Sequence, residues 1–172
     1  MRFRFGNLLE NTQRKLRNEP ARTQITVSVK SQQRDGFQSA VTVRNFTVTV
    51  DQPAGFGGTN MGPKPSEYVL VALASCQEIT YRLYADALGI EVNSISVKLE
   101  GRQDLRGFLS LDKNIRPGFQ EIRGTVEIDS PATAEDLRRL KDLVDRHCPV
   151  LDDLRAPVPV SIELHVEHTR AD

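Results

Sequence analysis

Apolar and polar residues alternate in the first third of the chain, a pattern typical of half-buried strands. In TQITVSVKS the apolar face consists of Ile25, Val27 and Val29. The alternation continues through VTVRNFTVTV, where a phase slip near Asn45 predicts a bulge. Asp35-Gly36 between these runs is a strong hairpin signal, so the two stretches are expected to form an antiparallel pair.

Three more stretches predict strands farther along the chain. SISVKLEG and EIRGTVEID both alternate, and the long segment 102–119 between them shows no clear period. Segments of that length in compact domains are usually functional or partly structured. VPVSIELHVEH predicts a last strand, with an inward face made of Val158, Val160, Ile162, Leu164 and Val166.

Spacings of three and four residues predict amphipathic helices in two places. A short N-terminal helix, ending before Pro20, has a stripe of Phe5, Leu8, Leu9, Thr12 and Leu16. A longer helix is expected to start at Ser66, which can cap exposed amides, and to end near Leu88 before Gly89. Its inward stripe consists of Val69, Leu73, Cys76, Thr80, Leu83 and Ala87.

A third helix is predicted to begin at Thr133, where an acidic residue three positions later resembles a capping box. Its buried stripe, Leu137, Leu140 and Val144, continues by one turn to Cys148, and Pro149 ends the helix. Strands and helices thus follow one another without an internal repeat or a change of composition. The pattern indicates one α/β domain.

Composition narrows the possible functions. The 172 residues, 38% of them hydrophobic, are enough for one sizeable core. The net charge is zero and basic residues are scattered, which argues against nucleic acid and anionic membranes as partners. The longest apolar run is much shorter than the roughly 20 residues of a membrane span. Because the N-terminus lacks a secretory pattern, we predict a cytoplasmic protein with reduced thiols.

The chain has two cysteines, Cys76 and Cys148, and both lie on predicted buried stripes. They could form a redox pair, in which one thiolate becomes a sulfenic acid and the other condenses with it, or be separate core thiols. Spacing alone favours separate thiols. A structural zinc site needs four ligands. His147 is next to Cys148 in the sequence, but the remaining histidines, His165 and His168, lie at the chain end. We therefore predict no metal, and nothing in the spacing promotes a Cys/His hydrolase.

A reactive Cys76 would need help to ionise. A thiol in the middle of a helix gains nothing from that helix's N-terminus, and burial raises its pKa, so a nearby cation is required. Arg34, at the mouth of the first hairpin, is a candidate, although an ordinary solvated turn arginine is the simpler interpretation. Glu67 precedes Cys76 by about two and a half turns and faces away from it, so it serves either to orient an arginine or to favour the helix dipole.

Together these residues resemble a known family. GGTNMGPKPSEYVLVALASC, followed by CPV at the end of a later helix, resembles the OsmC/Ohr superfamily of organic hydroperoxide resistance and osmotically inducible proteins. Arg34-Asp35-Gly36 is similar to the first-hairpin motif of that family. The resemblance implies an α+β, OsmC-like fold, with an antiparallel sheet and long central helices in an intertwined homodimer. The resemblance spans roughly residues 23–165, and we predict a single OsmC-like domain over residues 1–172, with 1–20 as an N-terminal helical extension.

The resemblance also implies an activity. In a thiol-dependent peroxidase of the oxidative stress response, Cys76 would attack an organic hydroperoxide and Cys148 would resolve the product as a disulfide. Arg34, paired with Glu67, would stabilise the thiolate, and each site would draw on both subunits. The reductant would be a dithiol, either a lipoyl group or a small thiol, and no cofactor is implied.

Apolar residues near the thiol would favour organic peroxides over hydrogen peroxide, namely Tyr68, Leu73 and Phe119. One position departs from the peroxidase pattern, in which the glutamate directly follows the proline. Ser66 occupies that position here, and the Pro-Ser-Glu order is closer to other OsmC-like branches. A second interpretation therefore stays open, a non-catalytic OsmC-like dimer that binds a small apolar ligand or acts as a redox sensor.

Overall fold

The computed structural model describes residues 4–166, which form five α-helices, two short 3-10 helices (Pro20–Arg22 and Ala54–Phe56) and five strands. In chain order the α-helices and strands are α1 (Gly6–Asn18), β1 (Lys30–Gln33), β2 (Ser39–Val43), β3 (Phe46–Val50), α2 (Pro65–Leu88), β4 (Ser94–Gln103), α3 (Leu105–Phe108), β5 (Phe119–Asp129), α4 (Ala134–His147) and α5 (Pro149–Arg155). Helices thus combine with antiparallel strands in an α+β arrangement.

The strands form two antiparallel sheets, one of β1, β2 and β3 in that order and one of β4 and β5. The predicted first hairpin is confirmed, because the Arg34 N–H donates to the Gln38 carbonyl at 2.8 Å and Gly36 takes a φ of 50°. That left-handed conformation costs little for glycine, which has no Cβ.

A second tight turn replaces the bulge that was expected near Asn45. Val43 pairs with Phe46, so Arg44 and Asn45 form a two-residue connection between β2 and β3, with Arg44 at a φ of 53°. The predicted bulge is wrong. The phase slip marks a chain reversal, which divides the run into two short strands.

The core lies where α2 and α4 cover one face of the β4–β5 sheet. Tyr81 and Ala85 of α2 are buried there against Leu140 and Val144 of α4, with Val92 beside them. Fully burying one large apolar side chain contributes about 1.5–3 kcal/mol. The predicted α4 stripe is confirmed, and it sets how α4 faces α2.

The start of α2 differs in detail from the expectation. Lys64, rather than Ser66, is the residue before the first turn, and its backbone N–H donates to Glu67 Oε2 at 3.0 Å. Pro65 takes the first helical position, where its missing N–H costs nothing. The predicted end is confirmed, since Gly89 follows Leu88 in the left-handed conformation.

A short helix that was not predicted follows α4. The Thr133 hydroxyl accepts the Asp136 N–H and caps α4, as expected, and α4 ends at His147. Cys148 is extended, with a ψ of 109°, because a residue before proline avoids the helical region. Pro149 then opens α5 instead of only ending α4, since proline is well suited to a first helical position.

One predicted strand does not form within the described chain, and the first predicted strand forms only at its end, as β1. Residues 24–29 and 157–166 have no regular structure, and their alternating apolar residues are open to solvent, with Val27 at 76% and Ile162 at 91% exposure. The predicted inward faces at both segments are wrong for the isolated chain, because no strand among residues 4–166 pairs with them. His168 lies outside the described residues.

The predicted N-terminal helix is present as α1, and it packs against α2. The first turn of α1 has no acidic residue, but the buried carboxylate of Asp86 accepts the Phe5 N–H at 3.0 Å. A carboxylate at this end of a helix is favourable because it opposes the helix dipole. Across residues 4–166, no helix is both long and apolar enough to cross a membrane.

Candidate active site

The two cysteines meet. The Cys148 thiol donates a hydrogen bond to Cys76 Sγ, with the sulfurs 3.2 Å apart, and both residues are free thiols. Cys76 is partly exposed, whereas Cys148 is fully buried. A disulfide requires a separation of about 2 Å, so bond formation needs only a small further approach of the sulfurs. Sequence spacing favoured two separate core thiols, and the geometry contradicts that interpretation.

The helix packing explains this contact. Leu140 and Val144, both fully buried, hold α4 against α2, and Cys148 lies one turn beyond Val144 on the same stripe. The extended backbone of Cys148 then redirects the chain into α5, which also packs against α2. The contact therefore depends on tertiary packing between segments 72 positions apart in the chain.

Burial raises the pKa of Cys76, and the adjacent Cys148 adds to the increase. The Val150 backbone N–H and the Thr80 hydroxyl act in the opposite direction and lower this pKa. Because Val150 lies in the first turn of α5, a helix start does lie near this thiol, contrary to the expectation drawn from α2 alone. No arginine or lysine within residues 4–166 adds to the effects on the Cys76 pKa.

The predicted activating residues lie apart from the sulfurs. Arg34 is exposed in the first hairpin turn, and Glu67 is exposed in the first turn of α2, where it accepts the Lys64 N–H. Nine helical residues separate Glu67 from Cys76, about 14 Å along the axis. Within residues 4–166 no ion pair or hydrogen bond joins the Arg34 guanidinium to Glu67 or Cys76.

The three predicted substrate-binding residues occupy different regions. Leu73 is buried one turn before Cys76 and lines a cavity of about 620 Å³. The Tyr68 hydroxyl instead donates to the Thr49 carbonyl at 2.8 Å. Phe119 begins β5 and packs over Gly101 of the paired strand, where a Cβ would collide with its ring. Leu73 is the member of the set beside the cysteine pair.

The 620 Å³ cavity, which neither cysteine lines, also contains a residue that was not predicted. Gln77 follows Cys76, is only 6% exposed, and its Nε2 lacks a hydrogen-bond partner among the described residues. An unpaired buried amide costs about 1–3 kcal/mol. Gln77 lies four residues after Leu73, so it was available as a position on the inner face of α2. Its polarity made it a poor candidate for a core position.

A second, smaller cavity of about 300 Å³ lies at the start of α2. Its aromatic lining comes from three separate segments, with Phe37 from the first hairpin, Phe56 from the glycine-rich loop (residues 51–64) and Phe108 from α3. Neither cysteine lines it. The segment 102–119 is therefore partly structured, as was expected, and contributes one wall of this cavity.

Asp51 holds the glycine-rich loop in place. Its buried carboxylate accepts hydrogen bonds from the backbone N–H groups of Gln52, Thr59 and Met61 and from the Thr59 hydroxyl. These bonds, that of the Thr59 hydroxyl above all, lower the pKa of Asp51 to about 2. The loop that precedes α2 is thus fixed by one ionised side chain.

Comparison with solved structures shows where this fold recurs. An OsmC like protein from Mycoplasma pneumoniae matches with a TM-score of 0.69 and 22% identity, over 78% of this chain and 91% of that chain. An organic hydroperoxide resistance protein OsmC from Legionella pneumophila matches with a TM-score of 0.61 and 17% identity, over 78% and 93%. An organic hydroperoxide resistance protein from Elizabethkingia anophelis matches with a TM-score of 0.58 and 19% identity, over 79% and 92%.

At these identities, the structural matches establish a shared fold alone. Comparison with curated proteins gives no significant match. The family model for OsmC-like protein matches residues 57–163, which include both cysteines, Glu67, and the helices that bring the sulfurs together. That match covers well over half of the chain. The protein therefore belongs to the OsmC-like family.

Proposed function

We propose that this protein is a cysteine-dependent peroxidase that reduces organic hydroperoxides, with Cys76 as the attacking thiol and Cys148 as the resolving thiol. The observation that carries the proposal is the 3.2 Å contact between a partly exposed sulfur and a fully buried one. The substrate class is supported by the names of the Legionella and Elizabethkingia proteins, which share the fold.

The proposed reaction oxidises the two thiols to a disulfide, which is then reduced to regenerate them. Cys76 loses its proton to solvent, and the thiolate attacks a peroxide oxygen. The O–O bond breaks, the alkoxide takes a proton and leaves as an alcohol, and Cys76 becomes a sulfenic acid. Cys148 then attacks that sulfur, the S–S bond forms, and hydroxide leaves as water with the proton from Cys148. A dithiol, such as a lipoyl group or a small thiol, supplies two electrons and two protons to restore both cysteines.

The difference in solvent access suits these roles. Partial exposure lets a peroxide reach Cys76, whereas the buried Cys148 is protected from direct oxidation. The existing sulfur contact means that the sulfenic acid forms next to its resolving partner. Condensation in place competes well with further oxidation, which is irreversible in most proteins.

A second copy of the chain is part of the proposal. The burial-raised pKa of Cys76 calls for a cation, and the Arg34 and Glu67 side chains of the same chain do not bond to it. Residues 24–29 and 157–166 leave alternating apolar side chains open to solvent, as expected of strands that pair between chains. We infer a homodimer in which these segments pair with the other copy, and Arg34 and Glu67 of each copy complete the site of the other.

We infer from the sequence that the protein works in the cytoplasm. The cytoplasm keeps both cysteines reduced between cycles. Residues 1–172 act as a single domain with residues 1–20 as an N-terminal extension, whose helix α1 docks on α2. Neither nucleic acid nor a membrane takes part, because the chain has no net charge and its basic residues are scattered.

A second candidate function rests on the aromatic cavity at the start of α2. Three phenylalanines, Phe37, Phe56 and Phe108, line this volume of about 300 Å³, and neither cysteine reaches it. An apolar cavity of that kind fits a small hydrophobic ligand. In this alternative the protein is a non-catalytic binding protein or a redox sensor, and Cys76 reacts slowly with peroxide.

The deciding experiment is intact mass with a free-thiol count, before and after one equivalent of cumene hydroperoxide, with hydrogen peroxide in parallel. The peroxidase predicts rapid loss of both thiols with a mass decrease of about 2 Da, faster with the organic peroxide. Cys148→Ser should instead gain about 16 Da as a sulfenic acid, and Cys76→Ser should not react. Thiols that survive for many minutes would contradict the peroxidase and favour the ligand-binding alternative.

A further inference from the structure

The Thr80 hydroxyl makes a hydrogen bond that is additional to the backbone hydrogen bonds of α2. Thr80 lies one turn after Cys76, is only 6% exposed, and its Oγ1 donates to the Cys76 carbonyl at 2.7 Å. In an α-helix that carbonyl already accepts the backbone N–H of the residue four positions later. The hydroxyl therefore makes a second bond to an oxygen that is already satisfied. It can give up that bond and donate its proton to another acceptor instead.

The Cys76 sulfur is within reach of this hydroxyl. Side chains four residues apart on a helix have Cβ atoms about 5–6 Å apart, and helical side chains lean toward the N-terminus. The Thr80 side chain therefore lies over the turn that carries Cys76. Threonine in a helix populates two χ1 rotamers, so its hydroxyl can change acceptor without moving the backbone. In agreement with this geometry, the Thr80 hydroxyl lowers the pKa of Cys76.

A hydrogen-bond donor near the Cys76 sulfur matters because little else in the described chain stabilises the thiolate. Burial opposes the charged thiolate, and no cation within residues 4–166 offsets it. The neutral donors near Cys76 are the Val150 backbone N–H and the Thr80 hydroxyl. Cys148, at the junction of α4 and α5, is the titratable group that acts on Cys76, and it raises the pKa.

We propose that Thr80 is a positioning residue for the thiolate: its hydroxyl turns from the Cys76 carbonyl to the Cys76 sulfur when the thiol ionises. This inference rests on the proposed peroxidase, since it concerns the form of Cys76 that attacks. The thiol proton leaves to solvent, and Thr80 keeps its own proton and only donates a hydrogen bond. Once the sulfur is oxidised and uncharged, the hydroxyl returns to the carbonyl.

The test is the pH dependence of Cys76 alkylation by iodoacetamide, measured on full-length protein that carries Cys148→Ser, so that one thiol titrates. Thr80→Val keeps the β-branched shape and removes the hydroxyl. We expect its titration midpoint to move upward, so that alkylation at neutral pH slows by about tenfold, the equivalent of one pKa unit. Thr80→Ser restores the hydroxyl and should return the midpoint to that of the parent.

Ser75→Ala is the matched control. The Ser75 hydroxyl also donates to the carbonyl four residues back, Val71, at 2.8 Å, but Ser75 is exposed on another face of α2. Its removal should leave the midpoint unchanged. Thr80→Ala, which also lacks the hydroxyl, must reproduce the shift of Thr80→Val if either variant is poorly folded. Coincident midpoints for the parent and the folded hydroxyl-free variant, or an equal shift in Ser75→Ala, would overturn the proposal.

Alkylation does not require a peroxide, so its result is independent of the peroxidase test. A shifted midpoint without peroxide reduction would retain the Thr80 interaction and reject the proposed reaction. Peroxide reduction with an unshifted midpoint would retain the reaction and reject the role of Thr80.

Discussion

Cys148 Sγ lies 3.2 Å from Cys76 Sγ, although the two residues differ sharply in solvent access. Cys148 is fully buried at the junction of two helices, whereas Cys76 is partly open to solvent in the middle of a third. The pair is thus asymmetric before any chemistry takes place. That asymmetry orders the two proposed steps, because an oxidant meets Cys76 first.

Leu140 should control this contact because it is fully buried and holds α4 against α2. Leu140→Ala should lower the free energy of unfolding by about 2–5 kcal/mol and slow disulfide formation after peroxide treatment, since α4 carries Cys148. Chemical denaturation and the free-thiol count measure the two effects. Val71→Ala, at an exposed position of α2, is the control and should change neither strongly. If Leu140→Ala is destabilised but forms the disulfide at an unchanged rate, the packing of Leu140 does not control the contact between the sulfurs.

Asp51 predicts an acid-sensitive loop. The folded-state pKa is about 2, whereas an unperturbed aspartate has about 3.8, so ionisation of Asp51 favours the folded loop. That contribution is fully present above about pH 4 and is lost as the pH falls through about 2. The protection factors of residues 52–64 in amide hydrogen exchange, corrected for the intrinsic pH dependence of exchange, should therefore fall over this range. Asp51→Asn should show faster exchange at neutral pH, and equal exchange in both proteins would contradict the anchoring role.

Gln77 should reduce the stability of the single chain. Its buried Nε2 has no partner among the described residues, and its neighbours in the cavity include Leu73 and Tyr81. Gln77→Leu removes the unpaired amide and should raise the free energy of unfolding by about 1 kcal/mol. Gln77→Glu buries a carboxylate at the same point and should lower it. If Gln77→Leu is instead destabilising in thermal unfolding, the amide has a partner in the assembled protein.

The proposed dimer predicts complementation between two inactive variants. Arg34→Ala and Cys76→Ser should each lose peroxide reduction as homodimers. Mixed dimers formed by unfolding and refolding them together should regain activity, because one site combines Cys76 of one copy with Arg34 of the other. Circular dichroism and size-exclusion chromatography check that each variant folds and dimerises. If Arg34 acted within its own chain, mixed dimers would stay inactive while each variant remained dimeric.

Local sequence determined the elements whose hydrogen bonds and buried faces come from nearby residues. The Asp35-Gly36 turn, the stop at Gly89 and the Thr133 cap are present as predicted, because a turn or a helix end is set by a few consecutive residues. The stripe that ends at Cys148 could be predicted for the same reason, since helical periodicity places residues three and four positions apart on one face.

Tertiary structure decided the features that depend on distant residues. Helical periodicity put both cysteines on inner faces, but only the packing of α4 and α5 on α2 brought their sulfurs together. Residues 24–29 and 157–166 alternate in sequence, yet a strand forms only where a partner strand is present, and the single chain lacks one among residues 4–166. Pattern sets which face of an element is apolar, whereas contacts between elements determine what covers that face.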